Sequence, residues 1–188
     1  MIVRPVRHAI LGLVLLAAVA GSLLAAPGAD ELFGALLAAL MLAITVIDSR
    51  RFIIPNELTG AAVALALIRA GVVGPEAGWH AVVLAALRAI AVTLPLLLLM
   101  TGYRRWRGRD GLGLGDVKLA AVAGAWLGFV TIFAVIELAA LSALAAYAVN
   151  AWLRKRPLRA TAFLPFGAFL APAIWIGWLA EALLNRLN

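Results

Sequence analysis

The sequence predicts an all-α membrane protein, a single-domain bundle of about seven transmembrane helices over residues 1–188. Composition is the first observation: 65% of the 188 residues are hydrophobic and 13% are charged, whereas a soluble domain has about half and about a quarter. The length of the apolar segments is the second observation, because a membrane helix needs about 20 apolar residues. The apolar segments cover residues 9–27, 31–48, 57–74, 79–101, 116–129, 131–153 and 164–184.

The distribution of basic residues is the third observation. If all seven segments span, 13 of the 16 Lys and Arg residues fall on one face, and the short opposite loops carry Asp30, Glu31 and Glu76. Cytoplasmic loops of membrane proteins concentrate Lys and Arg. This distribution predicts a cytoplasmic N-terminus. It also explains the net charge of +7, because the basic residues orient the protein in the lipid bilayer. No nucleic-acid partner is predicted.

The first segment, within residues 1–27, has two interpretations. Arg4 and Arg7 precede an apolar run from Ala9 to Ala26, which is long enough to be a retained signal-anchor helix. A cleavable signal peptide has the same order of a basic start, an apolar run and small residues. Cleavage would leave six helices and the same orientation for the rest.

Two aspartates stand at the ends of apolar segments on the predicted cytoplasmic face. Asp48 ends the second segment and Asp116 begins the fifth. A carboxylate in or beside a bilayer is costly, so a functional role is the default. Two close carboxyls have separated apparent pKa values and can act together as acid and base. We predict that Asp48 and Asp116 form a catalytic pair. The alternative is that one of the two aspartates has a structural role, as a helix cap or as the ion-pair partner of a nearby arginine.

A metal or other cofactor is not predicted. The chain has no cysteine, which removes thiolate ligands and thiol catalysis. Its two histidines, His8 and His80, fall on opposite predicted faces. An ion- or proton-coupled transporter is the alternative function, since intramembrane carboxylates also serve as relays. A transporter predicts carboxylates at several depths, whereas the two aspartates share one edge.

Residues beside the aspartates are predicted to shape the site. Pro55 disfavours helix at the residue before it and starts the third segment, with Asn56 as N-cap. Residues 102–115 form a basic, glycine-rich cytoplasmic loop that ends at Gly113 and Gly115, which permit close backbone approach to Asp116. Lys118 either reaches the lipid headgroups or supports ionisation of the pair.

Packing of the fifth segment is predicted from small residues spaced by four. Such residues share one helical face and let two membrane helices approach closely. We expect this face to pack against the second segment, which carries Asp48. The face is formed by Asp116, Ala120, Gly124 and Gly128.

Two ionisable residues inside apolar segments, Arg88 and Glu137, have comparable predicted depths. Buried membrane charges usually pair, so a structural ion pair between them is predicted. Arg69 is the rival partner for Glu137.

Three motifs in order resemble the type IV prepilin peptidases, within the wider class of Gly-x-Gly-Asp membrane aspartyl proteases. Residues 113–119 with 124–128 are similar to the second catalytic motif of that family. Asp48 with Ile54-Pro55-Asn56 resembles the first motif. Residues 165–171, which begin Pro165-Phe166-Gly167, resemble a third segment. The resemblance covers roughly residues 31–184.

The resemblance implies an aspartic-type endopeptidase of the bacterial inner membrane. Its catalytic residues would be Asp48 and Asp116, with Pro165 and Gly167 near the site. Its substrate would be a prepilin or pseudopilin of a type IV pilus or type II secretion system. The cut would follow a glycine between a basic leader and an apolar helix, at the cytoplasmic face. Asp110 or Glu57 is expected to help receive the basic leader.

Two departures from the family pattern change these expectations. Bifunctional members carry an N-terminal extension with paired cysteines, associated with N-methylation of the new terminus. This chain has no cysteine, which weakens the expectation of methyl transfer. Ala168 stands where members often have a second proline, which changes the local backbone without touching the carboxylates.

Overall fold

The computed structural model describes residues 3–25, 28–108, 113–155, 157 and 164–187, with side chains from Leu11 onward. Within these residues there are seven helices and no strand, which confirms the predicted all-α class. The helices are α1 (Val3–Ala25), α2 (Ala29–Arg51), α3 (Asn56–Val72), α4 (Trp79–Arg107), α5 (Leu114–Trp126), α6 (Phe129–Leu153) and α7 (Gly167–Leu187).

Four of the helices, α2, α4, α6 and α7, are long and apolar enough to cross a membrane. The apolar part of α1, Leu11–Ala25, is shorter. Helices α3 and α5 have 17 and 13 residues. At about 1.5 Å per residue, α5 extends about 20 Å, less than the hydrocarbon thickness of about 30 Å. The chain is a membrane protein, and α5 is shorter than the hydrocarbon core.

Helix α5 lies at the centre of the bundle. It packs mainly against α4, and also against α3, α7 and α6, while α2 packs against α7, α1 and α3. Eight of the residues of α5 are buried, as expected for a helix that is apolar on every face. Helix α5, which carries Asp116 in its first turn, is therefore surrounded by protein over most of its length.

The predicted contact between the small-residue face of α5 and α2 is wrong. A Cβ added at Gly124 would lie 2.7 Å from Ala89 Cα and 2.9 Å from the Arg88 carbonyl oxygen, so this face meets α4. Helices α4 and α5 are consecutive in the chain and pack side by side. Gly128 lies beyond α5, at the N-cap of α6.

The predicted ion pair between Arg88 and Glu137 is also contradicted. Arg88 Nε donates to the Gly124 carbonyl oxygen at 3.4 Å, and Glu137 is exposed on α6. Arg69, the rival partner, forms a two-pronged ion pair with Asp30, in which Arg69 Nη2 lies 3.0 Å from Asp30 Oδ2. The sequence matched the depths of these residues, but pairing also requires neighbouring helices, and α4 does not pack against α6.

The predicted loop 102–115 is partly helical. Helix α4 continues through Arg104, Arg105 and Arg107 and ends at Gly108, which adopts the left-handed conformation with φ 65°. Basic side chains in a last turn are favoured by the helix dipole, and glycine suits this termination. Residues 109–112, with the predicted contribution of Asp110, lie outside the described residues.

Candidate active site

Four helix ends meet at one end of the bundle. The C-terminus of α2 brings Asp48, and the N-terminus of α5 brings Asp116 in its first turn. Helix α2 ends because Phe52 takes a left-handed conformation and donates its N–H to the Asp48 carbonyl oxygen at 2.9 Å. The N-termini of α3 and α7 complete this end. Three helix N-termini, which carry partial positive charge, therefore surround the carboxylate pair.

Asp48 is held by the first turn of α7. Its side chain is 5% exposed, and Oδ2 accepts the backbone N–H of Ala168 at 2.8 Å. The same N–H lies 3.1 Å from the Pro165 carbonyl oxygen. A Cβ added at Gly167 would lie 3.0 Å from Asp48 Oδ2. The third sequence motif thus contacts the first aspartate directly, and the expectation that Ala168 leaves the carboxylates untouched is wrong, because its backbone N–H bonds to Asp48.

Asp116 is partly buried and lies within electrostatic range of Asp48. Burial is the larger effect on Asp116, and together with the Asp48 charge it raises the pKa of Asp116 to about 6. A hydrogen bond with the Gly113 backbone acts in the opposite direction. A Cβ added at Gly113 would lie 3.1 Å from Asp116 Oδ2. Asp116 thus keeps its proton up to about pH 6, above the range of an ordinary aspartate, while Asp48 lies close by.

Ile54 joins the three motifs and was not among the predicted site residues. It is 8% exposed. A Cβ added at Gly115 would lie 3.1 Å from Ile54 Cδ1, and one at Gly167 would lie 2.5 Å from the same atom. The two glycines therefore make room for Ile54. The apolar run Phe52-Ile53-Ile54-Pro55 in the connection between two helices was the available signal.

Asn56 links the first and second motifs instead of capping α3. The N-cap residue is Pro55, with φ −65° and ψ 136°, so the predicted N-cap was wrong by one residue. Asn56 Oδ1 accepts a hydrogen bond from Lys118 Nζ at 2.5 Å. Support of the ionisation of the aspartate pair by Lys118 stays a prediction. This contact ties the start of α3 to the Asp116 helix.

A cleft of about 480 Å³ opens beside the Lys118–Asn56 contact, and neither aspartate lines it. It is partly apolar, and it carries the charged side chains of Arg51, Glu57 and Lys118. Its lining is Ile47, Arg51, Ile53, Ile54, Pro55, Asn56, Glu57 and Lys118. The cleft borders the aspartates through residues next to them in the chain, since Ile47 precedes Asp48 and Lys118 lies two residues after Asp116.

Most predicted site residues meet at this end. The structure brings together Asp48, Asp116, Gly113, Gly115, Lys118, Pro55, Asn56, Pro165 and Gly167. Arg88 and Glu137 lie elsewhere and do not pair with each other. Ile54 and the Ala168 amide were not predicted; the amide is a backbone group that no side-chain motif reveals.

Comparison with known proteins agrees with the three motifs. The chain is 35% identical over 176 residues to a prepilin leader peptidase/N-methyltransferase of Pectobacterium carotovorum subsp. carotovorum, covering 93% of this chain and 59% of that protein. It is 37% identical over 155 residues to a protein of the same name from Burkholderia pseudomallei (strain 1026b), covering 78% and 48%. A third, from Aeromonas hydrophila, is 32% identical over 165 residues, covering 87% and 54%.

The chain spans about half the length of the curated relatives that it matches. No solved structure matches it significantly. The sequence model of the type IV leader peptidase family matches residues 35–149, more than half of the chain and a range that contains both aspartates. With the helix ends, the aspartates and these relatives in agreement, the chain belongs to the type IV leader peptidase family.

Proposed function

We propose that the chain is an aspartic-type membrane endopeptidase that removes the basic leader of prepilins or pseudopilins after a glycine. The observation that carries this proposal is the proximity of Asp48 and Asp116 at one end of the bundle, where the charge of Asp48 raises the pKa of Asp116. Family membership supports a peptidase. The proposed activity is cleavage alone. Methyl transfer appears in the names of the longer relatives and is not proposed for this chain.

Hydrolysis in this site uses one proton shared by the two carboxyls. The ionised carboxyl takes a proton from water, and the water oxygen bonds to the scissile carbonyl carbon. The protonated carboxyl gives its proton to the carbonyl oxygen, which forms a tetrahedral diol. The carboxyl that took the proton from water then gives it to the peptide nitrogen, a diol hydroxyl returns a proton to the other carboxyl, and the C–N bond breaks. The pair ends with one proton, as it began, and its titration belongs to both residues.

A cytoplasmic site in the inner membrane is supported by the charges at this end. Arg50 and Arg51 occupy the last turn of α2, and three further arginines occupy the last turn of α4. Lys and Arg favour the cytoplasmic side. A site at this edge can reach the junction between a substrate's polar leader and its membrane helix. Glu57, on the cleft wall, is the acidic group proposed to receive the basic leader.

The transporter alternative has less support. Within the described residues, Glu137 is exposed on α6, and Glu181 on α7 accepts the Gly128 N–H at 2.8 Å. A relay would need carboxylates in sequence along a path. Family membership also favours the peptidase.

The deciding experiment uses the purified full chain in lipid nanodiscs. The substrate is a peptide with a basic leader, a glycine and an apolar helix. We expect mass spectrometry to find one cut, directly after the glycine. A peptide with valine in place of that glycine serves as the matched control and should remain intact. Ion flux through liposomes without peptide cleavage would contradict the proposal and favour a transporter.

The rate of cleavage should fall as pH rises through the pKa of Asp116. That pKa is raised to about 6, so the carboxyl is protonated below this pH and ionised above it. When both carboxyls are ionised, no proton remains for the carbonyl oxygen. We expect kcat/KM to fall about tenfold per pH unit on this limb. The measurement is peptide cleavage from about pH 4 to pH 8; a flat profile would contradict the shared proton.

Gly167→Ala should slow cleavage while the bundle stays folded. The new Cβ would lie 2.5 Å from Ile54 Cδ1, which can move, and 3.0 Å from Asp48 Oδ2, which must shift within a hydrogen bond. Small misplacements of a catalytic group lower rates by about 10²-fold or less, so we expect a drop of about 10- to 100-fold in kcat. Gly60→Ala, where the added Cβ meets nothing within 4 Å, should retain the wild-type rate. An unchanged rate in Gly167→Ala would show that this contact does not position Asp48.

A further inference from the structure

Ile54 belongs both to the cleft and to the packing beside the two aspartates. It lines the cleft, yet it is only 8% exposed, so most of its side chain is covered by protein. Part of that cover is Gly115, where an added Cβ would lie 3.1 Å from both Ile54 Cβ and Ile54 Cδ1. Gly115 directly precedes Asp116. The buried part of Ile54 therefore lies against the backbone that carries the second aspartate.

The same side chain approaches Asp48 at the start of α7. A Cβ added at Gly167 would lie 2.5 Å from Ile54 Cδ1 and 3.0 Å from Asp48 Oδ2. One added carbon atom would thus meet the isoleucine on one side and the carboxylate on the other. Protein interiors are close-packed, so a change of even one carbon atom is felt. The space that Ile54 and Asp48 share at this point accepts glycine and nothing larger without a shift.

The base of the Ile54 side chain is held in place. A β-branched residue has a restricted χ1, and the proline that follows restricts the backbone of the residue before it. Pro55 itself has φ −65° and ψ 136° at the start of α3. Ile54 is also the one buried residue among the described residues that line the cleft, since Arg51, Ile53 and Glu57 are exposed. An exposed side chain can swing aside for a substrate, whereas Ile54 forms a fixed wall.

We propose that Ile54 is the specificity-determining residue that restricts the substrate to glycine before the cut. The inference rests on the proposed function and assigns one feature of it to a side chain. A substrate that passes from the cleft to the aspartates brings the residue before the scissile bond against Ile54. Glycine has no Cβ to meet this wall, whereas a larger residue clashes with it. Exclusion of a competitor by a clash is one of the two ways in which a site gains specificity.

The test measures kcat/KM for two peptides that differ by one methyl group. Both have a basic leader and an apolar helix, and the residue before the cut is glycine in one and alanine in the other. Full-length wild type, Ile54→Val and Ile54→Ala are compared in lipid nanodiscs. Ile132→Ala is the matched control, because it makes the same change at an isoleucine that is 1% exposed near the start of α6 and does not line the cleft.

We expect wild type to prefer the glycine peptide by at least about tenfold, since one methylene in an apolar pocket changes kcat/KM by about 10- to 200-fold. Ile54→Ala should reduce that preference by about tenfold, because the alanine methyl gains the space that the side chain vacates. Ile54→Val, which removes one methyl group, should reduce it less. Ile132→Ala should keep the wild-type ratio between the two peptides, even if both of its rates are lower.

The ratio of the two rates separates specificity from packing. If Ile54 only supports the fold, its variants will slow both peptides equally and leave the ratio unchanged, which overturns the inference. Equal cleavage of both peptides by wild type overturns it as well. If Ile54→Ala fails to fold, the ratio measured for Ile54→Val decides. A wild-type protein that cleaves neither peptide overturns the proposed function instead.

Discussion

Asp48→Asn and Asp116→Asn should each lower the rate of prepilin-peptide cleavage by about 10²- to 10⁴-fold, the range that general acid–base groups contribute. Asparagine has nearly the same shape as aspartate, but it can neither take a proton from water nor carry an acidic one. Its amide oxygen can still accept the Ala168 N–H that Asp48 accepts at 2.8 Å. The lost rate should therefore appear in kcat, with little change in KM.

Two features make this experiment decisive. The double variant should be about as slow as either single variant, because residues that act as a unit have strongly non-additive effects. Glu137→Gln is the matched control, since it makes the same acid-to-amide change at an exposed position on α6. It should cleave at the wild-type rate. A folded Asp→Asn variant with wild-type activity would eliminate the carboxylate pair as the catalytic centre.

Gly124→Ala should destabilise the bundle by about 1–3 kcal/mol, as overpacking of a close-packed core usually does. The added methyl would lie 2.7 Å from Ala89 Cα, 2.9 Å from the Arg88 carbonyl oxygen and 3.0 Å from the Ala89 nitrogen. These are backbone atoms of α4, which cannot rotate away as a side chain can. Helices α4 and α5 must separate to admit the methyl group.

The measurement is the midpoint of unfolding in detergent as SDS is added. Gly60→Ala in α3 is the control, because its added Cβ meets nothing within 4 Å. In a helix that exchange alone favours alanine by about 0.5–1 kcal/mol. The control should therefore be as stable as wild type or slightly more stable. If Gly124→Ala matched the control, the close approach of α4 and α5 would be contradicted.

The sequence predicted the helices well because apolar segments and breakers are local signals. Helix α3 begins at Asn56 and α6 ends at Leu153, within a residue of the predicted segments. Errors occurred where a local signal was ambiguous. The arginines after residue 102 suggested a loop, yet they extend α4 because basic side chains are favoured in a last helical turn.

Predictions of pairing between helices were less successful. Depth in the membrane follows from counting residues, and Arg88 and Glu137 were matched in this way. Contact also depends on which helices are neighbours and on the direction in which each face points. Helix α4 does not pack against α6, so the predicted pair could not form. For the same reason the face that contains Gly124 was assigned to α2 when its neighbour is α4.

Sequence alone determined the all-helical class, and it identified the two candidate aspartates and the motifs that resemble those of the leader peptidases. Composition and local motifs depend only on the order of residues in the chain. Tertiary structure alone decided how the site is assembled: Ile54 fitted between Gly115 and Gly167, Lys118 bonded to Asn56, and the Ala168 amide directed at Asp48. These contacts join residues up to 120 positions apart. They depend on helix packing, which no local pattern in the chain encodes.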